Sequence, residues 1–358
     1  MPEATRDVLQ VITSTQRRGA EQFAVALEPK LREMGLSVET VALADVDGGL
    51  DVRSLGNGMT ISTLRVLRRE IRASRLVAAH GSVSLPACAL AGFGTGTPFV
   101  YRNIGDPAYW GSTLRRRIQS RLLLGRTDQV VALAPLTRTR LHELYNVPLE
   151  RCTVIPRGVD ETVFTPITAS DRAHNRERYG IDADAQVALF LGSLTEEKNV
   201  FDAIRAIGLL DDWVLLIAGD GPDRQDAERL ADEVAPGRVL FAGVVAEPMS
   251  VLAASDLLVL TSHTEGIPGA VIEAALTGVP SVVTDVGFIR SLVDDGVSGL
   301  VVDDPSPDAI AKAILDVAGH PADMGHHARQ IALDGFSLTS CATKWHTAIT
   351  ALIEQEDA

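Results

Sequence analysis

Twice along the chain, short apolar runs alternate with stretches of helical periodicity, and this doubled pattern constrains the fold more than any other feature. In the first half the runs are VLQVIT (8–13), VETVAL (38–43), RLVAA (75–79), PFVYR (98–102), QVVAL (129–133) and TVIP (153–156). The first amphipathic stretch between them runs from Ala20 to Met34 and is closed by Gly35, where a left-handed carboxyl-terminal cap is wanted. The pattern restarts with VALFLG (187–192), WVLLIAG (213–219), VLFAG (239–243), LLVLT (257–261), SVVT (281–284) and LVV (300–302). Strands separated by helices pair in parallel through crossover connections. Two successive doubly wound α/β domains are therefore expected, with ligands at the carboxyl ends of their strands.

A polar, irregular stretch from Asp160 to Asp184 separates the two series, and the linker is expected near Pro166 to Asn175. This gives a first domain over residues 1–168 and a second over 176–334, followed by a helical stretch over 337–356. The 358 residues, 46% of them hydrophobic, suffice for two cores. No internal repeat or low-complexity tract is evident.

Cysteine occurs only at Cys88, Cys152 and Cys341, with no CxxC pair, which argues against a disulfide framework or a thiolate zinc site. The amino terminus reads as a strand by Val8 rather than as a basic then apolar leader, and no run of about 18 apolar residues follows. A cytoplasmic protein is expected, one still able to touch the inner membrane face. The net charge of −14 is unevenly spread. Residues 1–165 carry 21 Lys and Arg against 16 Asp and Glu, whereas the remainder carries 12 against 31. The acidic half repels a phosphate backbone, so no nucleic-acid partner is expected. The basic half suits an anionic acceptor or lipid headgroups.

The most informative segment is SHTEGIPGAVIEAALTGVP, Ser262 to Pro280. It follows a strand, passes through Gly266 and Gly269, carries Pro268 at a first helical position and ends its helix at Gly278. A free helix amino terminus presents unpaired N–H groups and a partial positive charge, which suit a diphosphate. Glu265 lies just before the helix and Glu273 inside it, with side chains leaning back toward the amino terminus. Carboxylates pair well with vicinal hydroxyls of a ribose or hexose. The alternative is a solvated helix residue at Glu273 and a cap at Glu265.

LFLGSLTEEKN, Leu189 to Asn199, carries Lys198 into the next helix on a loop after a buried strand. Its ammonium group suits the charge building on a departing diphosphate, although a lysine there is also an ordinary surface residue. IAGDGPD (217–223) and VIPRGVD (154–160) add a glycine-punctuated turn and a domain-junction motif. Each is weak alone; their order and strand-to-loop context make the set specific.

Read together, Val154–Asp160, Gly192–Lys198, Ala218–Pro222 and Glu265–Ala274 resemble the family 4 glycosyltransferases over nearly the whole chain. The resemblance implies the GT-B fold, two Rossmann-like domains facing an interdomain cleft, with the last helix packing back on the first domain. It implies a nucleotide diphosphate sugar, of UDP or GDP type, with Lys198 on its diphosphate and Glu273 on the ribose. Glu265 and the segment Gly266, Ile267, Pro268, Gly269 and Ala270 would meet the sugar and phosphates, and Gly243, Val244 and Val245 the base. In the first domain, Gly19 matches a glycine after the first strand and His80 a histidine near the reacting centre; the alternative for His80 is a structural residue at a strand end. One departure is Ser193, where the family commonly carries Arg. Arg157, where many relatives have Asn, is the candidate to supply the missing charge.

The expected reaction is retaining transfer to a hydroxyl acceptor with no cofactor and no metal. Adjacent His326 and His327 do not face each other on a helix, and His320 adds no site. Alternatives are a nucleotide-sugar 2-epimerase or phosphorylase on the same scaffold, or a non-catalytic sugar-nucleotide-binding protein. Two arginine clusters bear on the acceptor: Arg65, Arg68, Arg69, Arg72 and Arg75 around Leu64, Leu67 and Ile71, and Arg115, Arg116, Arg117 and Arg121 among Leu114, Ile118 and Leu122. Such helices lie on anionic membranes, bind an anionic or lipid-linked acceptor, or are ordinary solvated faces.

Overall fold

The computed structural model describes residues 5–357 apart from positions 17, 106, 111 and 112. The chain divides into two compact units, Met1–Gly158 with Leu338–Ala358, and Val159–Ser337.

The first unit is built on seven strands, β1 (Arg6–Ile12), β2 (Val38–Ala42), β3 (Arg53–Ser54), β4 (Ser74–His80), β5 (Phe99–Arg102), β6 (Gln129–Ala132) and β7 (Cys152–Val154). They form one parallel sheet in the order β3-β2-β1-β4-β5-β6-β7. The strand order reverses between β1 and β4, the position at which open α/β sheets bind ligands. Its helices are α1 (Gly19–Glu33), α2 (Ile61–Arg72), α3 (Ser84–Ala91), α4 (Pro107–Trp110), α5 (Leu114–Leu124) and α6 (Pro135–Tyr145). Side chains alternate across the sheet, so Val8, Leu76 and Ala78 join Phe23, Leu27 and Leu31 of α1, while Leu9, Val77 and Ala79 join Leu67 and Ile71 of α2.

The second unit opens with α7 (Ala169–Tyr179) and continues with β8 (Gln186–Leu191), α8 (Val200–Gly208), β9 (Trp213–Ala218), α9 (Arg224–Val234), β10 (Val239–Gly243), α10 (Pro248–Ala254) and β11 (Leu257–Leu260). It closes with α11 (Gly269–Thr277), β12 (Ser281–Thr284), β13 (Gly299–Val302), α12 (Pro307–Ala318) and α13 (Pro321–Phe336). The six strands are parallel in the order β10-β9-β8-β11-β12-β13, reversing between β8 and β11. Both faces are covered, with Val187 and Leu189 in one core and Ala188 and Phe190 in the other. That is why these strands read as unbroken apolar runs. The chain then rejoins the first unit through α14 (Leu338–Asp357), whose Cys341, Ala342, Trp345 and Ile349 enter the core formed by α1.

One expectation needs correction. Most of the segment read as a linker, Pro166 to Asn175, is helical, because α7 begins at Ala169. Thr168 caps it: its hydroxyl accepts from Asp171 N, and the Asp171 carboxylate accepts from Thr168 N, both at 3.1 Å. Its anchor in the core is Arg176, 5% exposed, whose guanidinium donates to both Asp256 oxygens and to the carbonyls of Ala183 and Ala254. A helix held by a buried arginine has no apolar stripe to betray it.

Candidate active site

In the second unit, loops at the carboxyl ends of β8, β9 and β10 lie in contact because glycines let them. A Cβ on Gly219 (φ +149°) would sit 1.8 Å from Gly192 O, and one on Gly221 would sit 2.2 Å from Leu194 O. Gly219 N donates to Gly243 O at 2.8 Å, tying the three strand ends together. The turn into α8 is set by Asn199, in the left-handed region at φ +48°, with its amide on the Asp202 carboxylate at 2.7 Å. Asparagine tolerates that conformation better than most residues. Thr261 Oγ1 donates to Asn199 O at 2.7 Å and His263 N to Glu197 O at 2.9 Å, which stitches the lysine loop to the loop after β11.

That second loop is fixed from its other side. A Cβ on Gly287 (φ +60°) would fall 2.0 Å from Glu265 O, so the backbone after β12 presses directly on Glu265. Thr284 Oγ1 donates to Ser262 O at 2.7 Å. These constraints bring Lys198 and Glu265, 67 residues apart, into contact: Lys198 Nζ donates to Glu265 Oε1 at 2.6 Å, and Ser262 Oγ donates to the same oxygen at 2.7 Å. The Glu265 side chain is 6% exposed and that of Lys198 24%, so the glutamate is enclosed while the lysine keeps some exposed surface.

Just beyond Glu265, α11 begins with no side-chain cap. Pro268 is its N-cap rather than its first helical residue, and Gly269 takes that place. Proline has no N–H of its own to offer, so the open donors lie in the first helical turn. The space beside Gly266 is empty to 4 Å, and Gly278 closes the helix in the left-handed region as expected. Glu273 is half-buried, one turn inside α11. At the end of β10, Gly243 adopts φ +69°, Val244 is 79% exposed and Val245 packs against the core. Arg224, bound to Glu228 at 2.8 Å, lies over the Phe241 ring at 5.5 Å and comes to 3.8 Å from where a Gly243 Cβ would be. Ser193 is exposed.

The remaining expected residues belong to the first unit. Gly19 is the first residue of α1, whose N-cap makes no side-chain bond, and the Arg157 guanidinium lies 3.6 Å from where a Gly19 Cβ would be. His80, expected near the reacting centre, is instead fully buried under α1 and α14, its ring 6.4 Å from that of Phe23 and 5.5 Å from that of Trp345. Burial, and secondarily the charge of Arg102, holds its pKa well below the ordinary 6.5. This burial fits the alternative of a structural histidine at a strand end.

Several participants escaped the sequence reading. Ser262 and Gly287 carry no signal on their own; Asn199, directly after the lysine at a helix start, carries a readable one. Among the described residues, no group of three or more His, Cys, Asp or Glu is placed to hold a metal ion. Among them also, no helix is long and apolar enough to cross a membrane.

Two doubly wound parallel-sheet units, one with an open helix end beside a Lys–Glu pair, define the GT-B class of glycosyltransferases. Residues 17–163 match the model of Glycosyltransferase Family 4, and residues 171–331 that of glycosyl transferases group 1. The chain is similar to the D-inositol 3-phosphate glycosyltransferase of Xylanimonas cellulosilytica, 28% identical with 97% of this chain and 89% of that one covered. It is also similar to the GDP-mannose-dependent alpha-(1-6)-phosphatidylinositol monomannoside mannosyltransferase of Mycolicibacterium smegmatis, 31% identical over 70% of this chain and 67% of that one. The structure of HepE from Anabaena in complex with UDP and glucose shares the fold, with a TM-score of 0.81, 20% identity, and coverage of 97% and 100%. The chain belongs to the family 4 glycosyltransferases and transfers a sugar from a nucleotide-sugar donor to an acceptor.

Proposed function

We propose that the reaction retains the anomeric configuration, needs no metal ion, and uses a donor of UDP or GDP type. The carrying observation is the 2.6 Å contact of Lys198 Nζ with Glu265 Oε1 beside the uncapped start of α11. Lys198 and the amides opening α11 hold the diphosphate and take up the charge that develops as the sugar leaves. Glu265, already fixed by Lys198 and Ser262, accepts from hydroxyls of the donor sugar, and Glu273 accepts from those of the ribose. Gly243 to Val245 frame the base, with Arg224 beside them. Gly19 lets the backbone at the start of α1 approach the donor, and Arg157 offsets the charge lost at Ser193. His80 supports the carboxyl end of the central strand β4 from within the core. The acceptor hydroxyl attacks the anomeric carbon on the face from which the phosphate departs, and a leaving phosphate oxygen takes the acceptor proton.

Incubation with a panel of nucleotide sugars, with and without EDTA, tests this reading. One donor should be slowly hydrolysed to its nucleoside diphosphate and the sugar first released with unchanged anomeric configuration by NMR. Return of an isomeric nucleotide sugar would identify an epimerase, no turnover of any donor would identify a binding protein, and loss of turnover in EDTA would remove the metal-independent mechanism.

For the acceptor, we infer an anionic or lipid-linked molecule met at a membrane surface. The two arginine clusters differ here. The α2 cluster surrounds Leu67 and Ile71, both 0% exposed, so its apolar face is spent on the core. On α5, Leu114, Ile118 and Leu122 stand 75%, 52% and 67% exposed among the exposed Arg115, Arg117 and Arg121. Apolar residues spaced by four beside cations suit the interface of an anionic bilayer. Co-sedimentation with vesicles containing anionic lipid should be strong at low salt and weak at high salt; equal sedimentation with neutral vesicles would end the proposal.

A further inference from the structure

Behind the end of α3 the first unit holds a pocket of about 160 Å³, room for a short hydrocarbon segment. Its floor is apolar: Val77, Cys88, Ala89 and Phe99 line it, each at most 5% exposed. Burial pushes the Cys88 thiol pKa up, so the floor carries no charge. Thr97 also lines the pocket, with its hydroxyl engaged at Ile71 O, 3.3 Å away. The rim is made by Phe93 and Arg126. Phe93 stands 67% exposed just before Gly94, which turns the chain at φ +68°, and Arg68 donates to the Phe93 carbonyl at 2.7 Å. The exposed Arg126 lies over the Phe93 ring at 4.5 Å and donates to Ala89 O at 3.1 Å.

Charge decides what such a pocket takes. From Met59 to Thr127 the chain carries eleven arginines, no lysine and two acids, Glu70 and Asp106. Glu70 is buried and pairs with Arg6 and Arg53. Among the described residues Arg126 forms no ion pair, and Asp128, the acid nearest to it in sequence, accepts from Phe99 N at 2.7 Å. The arginine-bearing helices α2 and α5 both pack against α3 and share its core through Leu67, Cys88 and Leu124. Leu90 at the end of α3 is 55% exposed, and Leu122, four residues before Arg126, is 67% exposed, so apolar surface continues outward from the rim. An apolar floor with a guanidinium at its mouth suits a hydrocarbon chain that ends in an anionic head. A free anion would leave the floor unused, and a neutral hydrocarbon would leave the arginine unused.

We propose that this pocket binds an anionic lipid, taking the segment of acyl chain next to the head while the head pairs with Arg126. The rest of the chain stays in the bilayer beside Leu90 and Leu122. The proposal rests on the membrane reading of α5 for the source of the lipid and extends that reading from a contact to a binding site. The test is calorimetric titration of the full chain, as wild type, Ala89→Leu and Arg126→Gln, with hexyl phosphate below its micelle concentration, hexanol and inorganic phosphate, alongside co-sedimentation with anionic vesicles. Wild type should bind hexyl phosphate saturably and at least about tenfold more tightly than either hexanol or inorganic phosphate. Ala89→Leu fills the pocket and Arg126→Gln removes the rim charge, so each should weaken hexyl phosphate binding at least about tenfold. Hexanol binding as tightly as hexyl phosphate would mean an uncharged occupant, and inorganic phosphate doing so would mean a free anion; either overturns the proposal. So does hexyl phosphate binding that is absent in wild type or unchanged in both variants, and if wild type then still sediments with anionic vesicles, the membrane reading survives without the pocket. Wild type that binds hexyl phosphate as expected but does not sediment would remove the membrane reading and leave a site for an anionic amphiphile. Should Ala89→Leu not fold, Arg126→Gln, altered at an exposed position, decides alone.

Discussion

Lys198 donates one of its three N–H groups to Glu265, and its side chain is the more exposed of the two, 24% against 6%. A diphosphate arriving at the start of α11 therefore meets a cation that is already oriented. Replacing it by alanine should lower kcat by roughly 10²- to 10³-fold, the usual cost of one oriented donor at a developing negative charge, with a smaller change in KM. Glu265→Gln keeps the shape and one acceptor but removes the charge that pairs with the lysine, and should also reduce kcat. His80 bears on stability. Its folded pKa is depressed by burial, so below the ordinary value of 6.5 the unfolded chain takes up a proton that the folded chain refuses. Stability due to this residue is complete above pH 6.5 and falls as pH drops below it, until the folded pKa is reached, by up to about 1.4 kcal/mol per pH unit. Urea unfolding of wild type and His80→Phe at pH 7 and pH 5 checks this: the variant should lose less stability than wild type on acidification.

Among the elements, the turns rather than the helices set the site. Gly219→Ala would push a methyl group into Gly192 O, and Gly287→Ala would push one into Glu265 O. The first should cost at least about 2 kcal/mol of stability, because the clash is with backbone and has nowhere to relax. Gly287→Ala should shift the Glu265 loop and depress donor turnover more than its loss of stability explains, a difference visible by comparing kcat with the urea midpoint. Much of this level was readable beforehand. Apart from the two-residue edge strand β3, which no apolar run marked, the strands of both sheets fall within two residues of the apolar runs, because parallel strands buried on both faces must be apolar throughout. Helix α7 was not readable, because its buried contact is an ion pair of Arg176 with Asp256, 80 residues away. The placement of His80 needed the pleat: it shares a face with Leu76 and Ala78, and so points into the core beneath α1.

At the scale of the molecule, each unit has its own sheet and its own pair of cores, and the second carries the Lys198–Glu265 site entirely within itself. Motif order along the chain disclosed that site, because each motif sits on a loop at a strand's carboxyl end. The acceptor side was not disclosed, since arginine clusters on α2 and α5 look alike until burial separates them. Donor binding should accordingly slow amide hydrogen exchange most at Ser262–Val271 and Ser193–Asn199, with little change around β12 and β13, if those loops are the ones a nucleotide orders. The most direct measurement is steady-state donor hydrolysis by wild type and Lys198→Ala, with UDP-glucose and GDP-mannose as substrates. Wild type should cleave one of them to its nucleoside diphosphate, and the variant, folded by circular dichroism, should do so at least about 100-fold more slowly. A folded Lys198→Ala protein that matches wild type within a few fold would contradict the assignment of the diphosphate to this lysine and to the helix end beside it.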